Sequence, residues 1–252
     1  MSEGRTLLFG DDSSPAADLA WAWIEAQRWP GWRVEVVTAA DPLGPPPDPA
    51  AAELHPWEPP SPRRPRPSAA LERIDHLTAR LDPRLALSSP ADLVVIGPRG
   101  PGLWKSLHLG STAEWLLAHP PSPLVIARRG EPVRTVLAAH DGSSHSEAAL
   151  AALAALPWLG DAAVSVVVVD DGRSAVADAA AAAQRRLPGA ELLTRAGKPT
   201  AVIEGLLEER RPDLVALGTR GLTGIRRLRV GSTAAAVARA APCSVLVACA
   251  EG

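Results

Sequence analysis

Two stretches of this chain follow one plan, and that duplication constrains the fold more than any other feature. At residues 213–238 the apolar run Asp-Leu-Val-Ala-Leu breaks at Gly218. A loop then carries Arg220, Gly221, Gly224, Arg226, Arg227 and Arg229, and Gly231-Ser232-Thr233 opens an Ala/Val-rich segment. At residues 92–112 the run Asp-Leu-Val-Val-Ile ends at Gly97, followed by Gly100 and by Gly110-Ser111-Thr112. Both copies read Gly-x2-Gly-x9-Gly-Ser. A strand, a glycine loop and a helix start form a natural anion cradle, because the first helical N–H groups have no partner inside the helix. Glycine lets the backbone approach closely and adopt positive φ, while a serine or threonine supplies a hydroxyl or a cap.

The same alternation of strand and helix runs through both halves and predicts an α/β fold with parallel sheets. In the first half, strands are expected over Arg5–Gly10, Val34–Thr38, Arg73–Arg80, Leu93–Ile96 and Leu124–Ala127. Helices are expected over Ala16–Gln27, after Asp82-Pro83, and from Gly110 to Ala118. The tryptophans Trp21, Trp23, Trp29 and Trp32 read as core and helix–strand packing rather than as a stacking surface. Pro42–Pro67 is so rich in proline that neither helix nor central strand can persist there. In the second half, strands are expected over Arg134–Ala139, Val164–Val169, Glu191–Arg195, Asp213–Leu217 and Ser244–Ala248. The uninterrupted Val run of the second of these marks a strand buried on both faces. The turns that follow the two first strands align Gly10-Asp11-Asp12 with His140-Asp141-Gly142 at an offset of 130.

Composition serves mainly to exclude. A net charge of −2 provides no basic footprint for nucleic acid and no polybasic membrane patch. No apolar run reaches the length of a membrane span. The N-terminus becomes acidic too early for a signal peptide, so a cytoplasmic location is expected. Cys243 and Cys249 fall on one strand, roughly 20 Å apart at about 3.3 Å per residue, and cannot bridge each other. They read as small core residues of a reducing compartment. The histidines His108, His140 and His145 stand with no cysteine or carboxylate at metal-ligand spacing, so no metal site is expected.

With these motifs in place, the chain resembles a tandem universal stress protein, two copies of that family's α/β domain, over nearly everything but residues 42–70. The resemblance implies two five-stranded domains, 1–130 with the Pro-rich insertion and 131–252, each with strand order 3-2-1-4-5. It also implies that the closing strands of the two copies pair antiparallel about a pseudo-twofold axis; a further homodimer stays open. The ligand it implies is ATP or another adenine nucleotide, with or without Mg2+. In the second copy the site is assigned to Asp141, Val169, Gly218, Arg220, Gly221, Gly231, Ser232 and Thr233. In the first, the weaker, it is assigned to Asp11, Gly97, Gly100, Gly110, Ser111 and Thr112. Asp141 suits a ribose hydroxyl, or it caps the helix that follows; both roles stand.

No catalytic residue is assigned, because neither copy offers a general base for phosphoryl transfer. Neighbouring Asp141, Ser143 and His145 at a helix start do not form a triad. Three function classes remain: a nucleotide-binding regulator of stress responses, a ligand-free scaffold, and a slow ATPase or self-phosphorylating protein with Ser232 or Ser111 as acceptor. The second site is expected to be the better one. Pro98 and Pro101 replace Thr219 and Leu222 and remove two N–H donors. Asp12 stands where the second copy has Gly142, and Trp104 fills space in the first loop.

Overall fold

A computed structural model describes residues 4–39, 71, 73–79, 81–99, 109–172, 175–219 and 231–250. The Pro-rich segment, Gly100, Pro101, Trp104, His108, Arg220, Gly221, Leu222, Gly224, Arg226, Arg227 and Arg229 lie outside the described residues.

In the first half the order is β1 (Arg5–Gly10), α1 (Pro15–Glu25), β2 (Trp32–Ala39), β3 (Arg73–Ala79), α2 (Pro83–Ala86), β4 (Leu93–Ile96), α3 (Ser111–Ala118) and β5 (Leu124–Ile126). The second half follows with β6 (Thr135–His140), α4 (Ser144–Ala154), β7 (Ala163–Asp170), α5 (Val176–Arg186) and β8 (Glu191–Ala196). It closes with α6 (Pro199–Arg210), β9 (Leu214–Gly218), α7 (Ser232–Ala240) and β10 (Ser244–Ala248).

The strands form one sheet of ten, in the order β3-β2-β1-β4-β5-β10-β9-β6-β7-β8. Each half therefore has the order 3-2-1-4-5, and all pairs within a half are parallel. Between the halves β5 and β10 pair antiparallel, with Val125 opposite Leu246. The physical reason is visible in burial: Leu124, Val125, Ile126, Val245, Leu246 and Val247 are all fully buried. Strands so apolar would be a liability as open edges.

Alternation along the strands divides the core into two layers. Leu7, Phe9, Val95, Ala216 and Leu246 face one side, and Leu8, Val94, Val215, Val245 and Val247 face the other. Trp21, Trp23, Trp29, Trp32 and Trp158 belong to the first layer, where Trp23 lies 5.8 Å from Trp158 edge-on and Trp29 lies 6.2 Å from it. An aromatic cluster thus crosses from the first half to the second. The N-terminal half of this contact is helped by Arg5, whose Nη1 donates to the carbonyl of Ala155 at 2.7 Å.

Cys243 and Cys249 flank β10 and are both free thiols. Burial pushes the Cys243 thiol up to about 11, as expected of a core residue. Cys249 is only half-buried, because it has already left the sheet.

Candidate functional site

Strands β6 and β9 lie side by side, Val136 opposite Leu214 and Ala138 opposite Ala216. From their carboxyl ends the chain departs to opposite sides, β6 leading to β7 and β9 to β10. That is the switch point at which open α/β sheets form a ligand crevice. The first half builds the same junction from β1 and β4, with Leu7 opposite Leu93.

The register of these pairs corrects the alignment of the two copies. Leu93 and Leu214 hold equivalent places in the two halves, so their partners Leu7 and Val136 are equivalent too. The offset at the first strand is therefore 129, not 130. Asp12, rather than Asp11, corresponds to Asp141, and Asp11 corresponds to His140. Local geometry agrees. Asp12 Oδ1 accepts the N–H of Ser14 at 3.0 Å, as Asp141 Oδ1 accepts that of Ser143 at 3.0 Å. Ser13 has φ 62° where Gly142 has φ 79°. Ser14 and Ser143 are the N-caps of α1 and α4, each accepting an N–H three residues on. So Asp141 does not cap the helix. It makes the turn that presents the cap.

The helices that follow the glycine loops begin differently. Gly231 is the N-cap of α7 and Gly110 that of α3, and neither helix has a side-chain cap. Among the described residues no side chain caps their first N–H groups, which is the condition an anion needs. Both glycines have ordinary extended backbone, φ −72° at Gly231 and −71° at Gly110. Positive φ is therefore not what glycine supplies here. Gly218 and Gly97 lack it too. Instead, a Cβ on Gly218 would lie 2.5 Å from the carbonyl carbon of His145 and 2.5 Å from the nitrogen of Ser146. A Cβ on Gly97 would lie 2.6 Å from the carbonyl oxygen of Ala16. Glycine lets the end of β9 abut the first turn of α4, and the end of β4 that of α1.

Each loop is pinned at its mouth in the same way. The N–H of Gly231 donates to the carbonyl of Thr219 at 2.6 Å, and that of Gly110 to the carbonyl of Pro98 at 2.8 Å. Thr219 uses its own N–H on the carbonyl of Ala248 at 2.8 Å. Proline at position 98 therefore removes no phosphate donor, and one of the two donors counted as lost was never available.

Of the remaining assigned residues, Ser232 and Ser111 are exposed on the first turns of α7 and α3, and Thr112 is half-buried. Thr233 accepts a 3.3 Å hydrogen bond from the hydroxyl of Thr200, at the start of α6. Val169 is buried near the end of β7. Asp11 is buried, as is His140, its equivalent. Gly100, Arg220 and Gly221 fall outside the described residues.

Three further groups were read in the sequence as helix starts or as a turn residue and not assigned to the site. Lys198 is the exposed N-cap residue of α6, before a proline, and α6 has no side-chain cap. Its counterpart in the first half is Asp82, which caps the four-residue α2 and is paired with Arg84. The Arg84 side chain and N–H hold the Asp82 carboxyl down at about 2. The third is His140, whose Nδ1 lies 2.9 Å from Ser146 Oγ. Matching the Lys-Pro of residues 198–199 to the Asp-Pro of residues 82–83 was the available signal for the first two. His145 Nδ1 accepts the N–H of Ala250 at 3.0 Å and lies 3.3 Å from Thr219 Oγ1. Among the described residues no cluster of metal-ligating side chains occurs, and no helix is long and apolar enough to cross a membrane.

Two doubly wound halves joined edge to edge, each with a glycine-capped helix at its switch point, define a tandem α/β protein. The chain belongs to the universal stress protein family: the model of that family matches residues 4–128 and again 172–248. Asp141 falls between the two matched segments. A universal stress protein of Synechocystis is 30% identical over 169 residues, 64% of this chain and 58% of that one, so the match spans less than two thirds of the relative. A Staphylococcus haemolyticus protein assigned to the same family by name is 34% identical over 137 residues, 45% of this chain and 83% of that one. The crystal structure of a universal stress protein from Archaeoglobus fulgidus superposes with a TM-score of 0.72 at 18% identity, covering 98% of both chains, a likeness of fold.

Proposed function

We propose that this chain is an adenine-nucleotide-binding regulatory protein of stress physiology, built of two units, 1–130 and 131–252, with the second the better binder. The observation that carries this reading is the start of α7, which has no side-chain cap among the described residues and is tied through Thr219 to the end of β9, the neighbour of the strand that leads to the Asp141 turn. A phosphate chain would lie on Gly231, Ser232 and Thr233, with Arg220 and Gly221 in the loop, and the sugar would face Asp141. Val169, at the neighbouring strand end, would lie on the base side. A Mg2+ ion, where present, would travel with the nucleotide.

Electrostatics supports the inequality of the two units. The second has Lys198 at the helix that Thr200 ties to Thr233, whereas the first has the carboxylate Asp82 at the matching place. A cation near a phosphate attracts it, whereas a carboxylate already paired with Arg84 offers it nothing. In the first unit Gly110 nonetheless keeps the same loop closure, on the carbonyl of Pro98, with Gly97, Ser111 and Thr112 in sequence around it.

Calorimetric titration with a non-hydrolysable ATP analogue tests the reading. One dominant site is expected, abolished by Gly231→Val and little changed by Gly110→Val. Because both glycines have backbone angles open to any residue, a lost site reports intrusion of the side chain and not backbone strain. Failure of the folded wild-type protein to bind would leave a ligand-free scaffold. Turnover of ATP above that of Gly231→Val would make it an enzyme.

A further inference from the structure

Ser146 sits one turn into α4 with its hydroxyl buried beneath the Asp141 turn. Its oxygen has three neighbours: His140 Nδ1 at 2.9 Å, the carbonyl of Ser143 at 3.0 Å, and the N–H of Asp141 at 3.4 Å. The last is long, but it closes a ring. Asp141 Oδ1 accepts from Ser143 N–H, Ser143 Oγ accepts from Ser146 N–H at 3.2 Å, and Ser146 Oγ accepts from Asp141 N–H. One link falls on the Asp141 carboxylate and another on its backbone N–H, so the ring ties the residue at both ends.

A hydroxyl has one proton and two lone pairs. One lone pair serves Asp141, the proton goes to the Ser143 carbonyl, and the other lone pair faces His140 Nδ1. His140 is the only member that reaches the ring from the strand, and its side chain is fully enclosed. Its Nε2 lies 3.4 Å from Glu147 Oε1 and makes no hydrogen bond among the described residues. The imidazole thus has no partner better placed than Ser146. In the first half the two positions are Asp11 and Ala17, and alanine has no hydroxyl with which to hold the N–H of Asp12.

We propose that His140, acting through Ser146, is a positioning residue for the Asp141 carboxylate, and that this buried pair gives the second site its selectivity for a ribose over a deoxyribose. The proposal rests on the nucleotide-binding reading above. His140 touches no ligand. It holds the turn so that the carboxylate meets a sugar hydroxyl without first having to be ordered.

The test compares ATP with 2′-deoxy-ATP by calorimetric titration of the full chain. The wild type is expected to prefer ATP about tenfold or more, the loss of one hydrogen bond to a charged group. Ser146→Ala and His140→Ala should bring that ratio to within about twofold of unity, with binding of 2′-deoxy-ATP nearly unchanged. His140→Asn, which can place a polar atom near the position of Nδ1, should restore most of the preference. Amide hydrogen exchange at Asp141, read without ligand, should quicken in Ser146→Ala and recover in His140→Asn. It keeps the proposal testable if His140→Ala does not fold. A wild type that binds both nucleotides equally, or a Ser146→Ala protein that keeps the preference, overturns the inference and leaves nucleotide binding standing. A folded wild type that binds neither nucleotide overturns both.

Discussion

The guanidinium of Arg239 lies against the carboxylate of Glu114, with Nε and Nη2 each 2.8 Å from an oxygen. Arg239 is on α7 and Glu114 on α3, so this pair ties the helix after one glycine loop to the helix after the other. Both side chains are open to water, 44% and 31% exposed. Solvent screening and the entropy of holding two long side chains offset most of the attraction. A double-mutant cycle with Arg239→Ala and Glu114→Ala in urea unfolding should give a coupling of about 1 kcal/mol or less, falling with added salt. A coupling several times larger, insensitive to salt, would mean that the pair is shielded in solution.

Glycines 218 and 205 should respond to the same substitution with opposite signs. A Cβ on Gly218 meets the backbone of His145 and Ser146 at 2.5 Å, where nothing can rotate away. Gly218→Ala should cost about 1–3 kcal/mol, the usual range for overpacking. Gly205 lies exposed within α6, and a Cβ there meets nothing within 4 Å. Gly205→Ala should stabilise by about 0.5–1 kcal/mol, because alanine loses less backbone entropy in a helix. Chemical denaturation of both variants checks this; a neutral Gly218→Ala would show that β9 and α4 are not in contact.

His140 should make stability pH-dependent on the acid side. Burial pushes its pKa below the ordinary value, against the opposing pull of the Glu147 and Asp141 carboxylates and of Ser146. In the unfolded chain it titrates near 6.5. Below that pH the unfolded state takes up a proton that the folded state refuses. The stability contributed by neutral His140 is present above about pH 6.5 and is lost as pH falls through the folded pKa. Unfolding free energies measured from about pH 7.5 to 5 should fall more steeply for the wild type than for His140→Asn. Equal slopes would place the imidazole in contact with water.

The element boundaries were legible because they depend on local chemistry. Four apolar residues before a glycine, a serine with a proline behind it, or an unbroken valine run each decides a strand, a cap or a buried strand wherever it occurs. Even the short α2 could be placed, since a parallel β3 needs a crossover and Asp82-Pro83 is a good helix start. The tryptophans read correctly as core, although the chain could not say that Trp158 of the other half would complete their cluster.

What the chain by itself determined, then, is what repeats in it: two α/β halves of like pattern and a glycine-capped helix at the fourth strand of each. Tertiary structure alone decided the rest, for a common reason. Strand register is set by the partner strand, so only the pairing of Leu7 with Leu93 and of Val136 with Leu214 shows that Asp12 is the counterpart of Asp141. Whether an N–H is available is set by its nearest acceptor, and Ala248, 29 residues beyond Thr219, takes the Thr219 donor. Gly218 is required by the backbone of a helix 72 residues earlier, which approaches too closely for a Cβ. And the enclosed contact between His140 and Ser146 exists because strand and helix pack around that turn, a fact of burial that no spacing of residue types encodes.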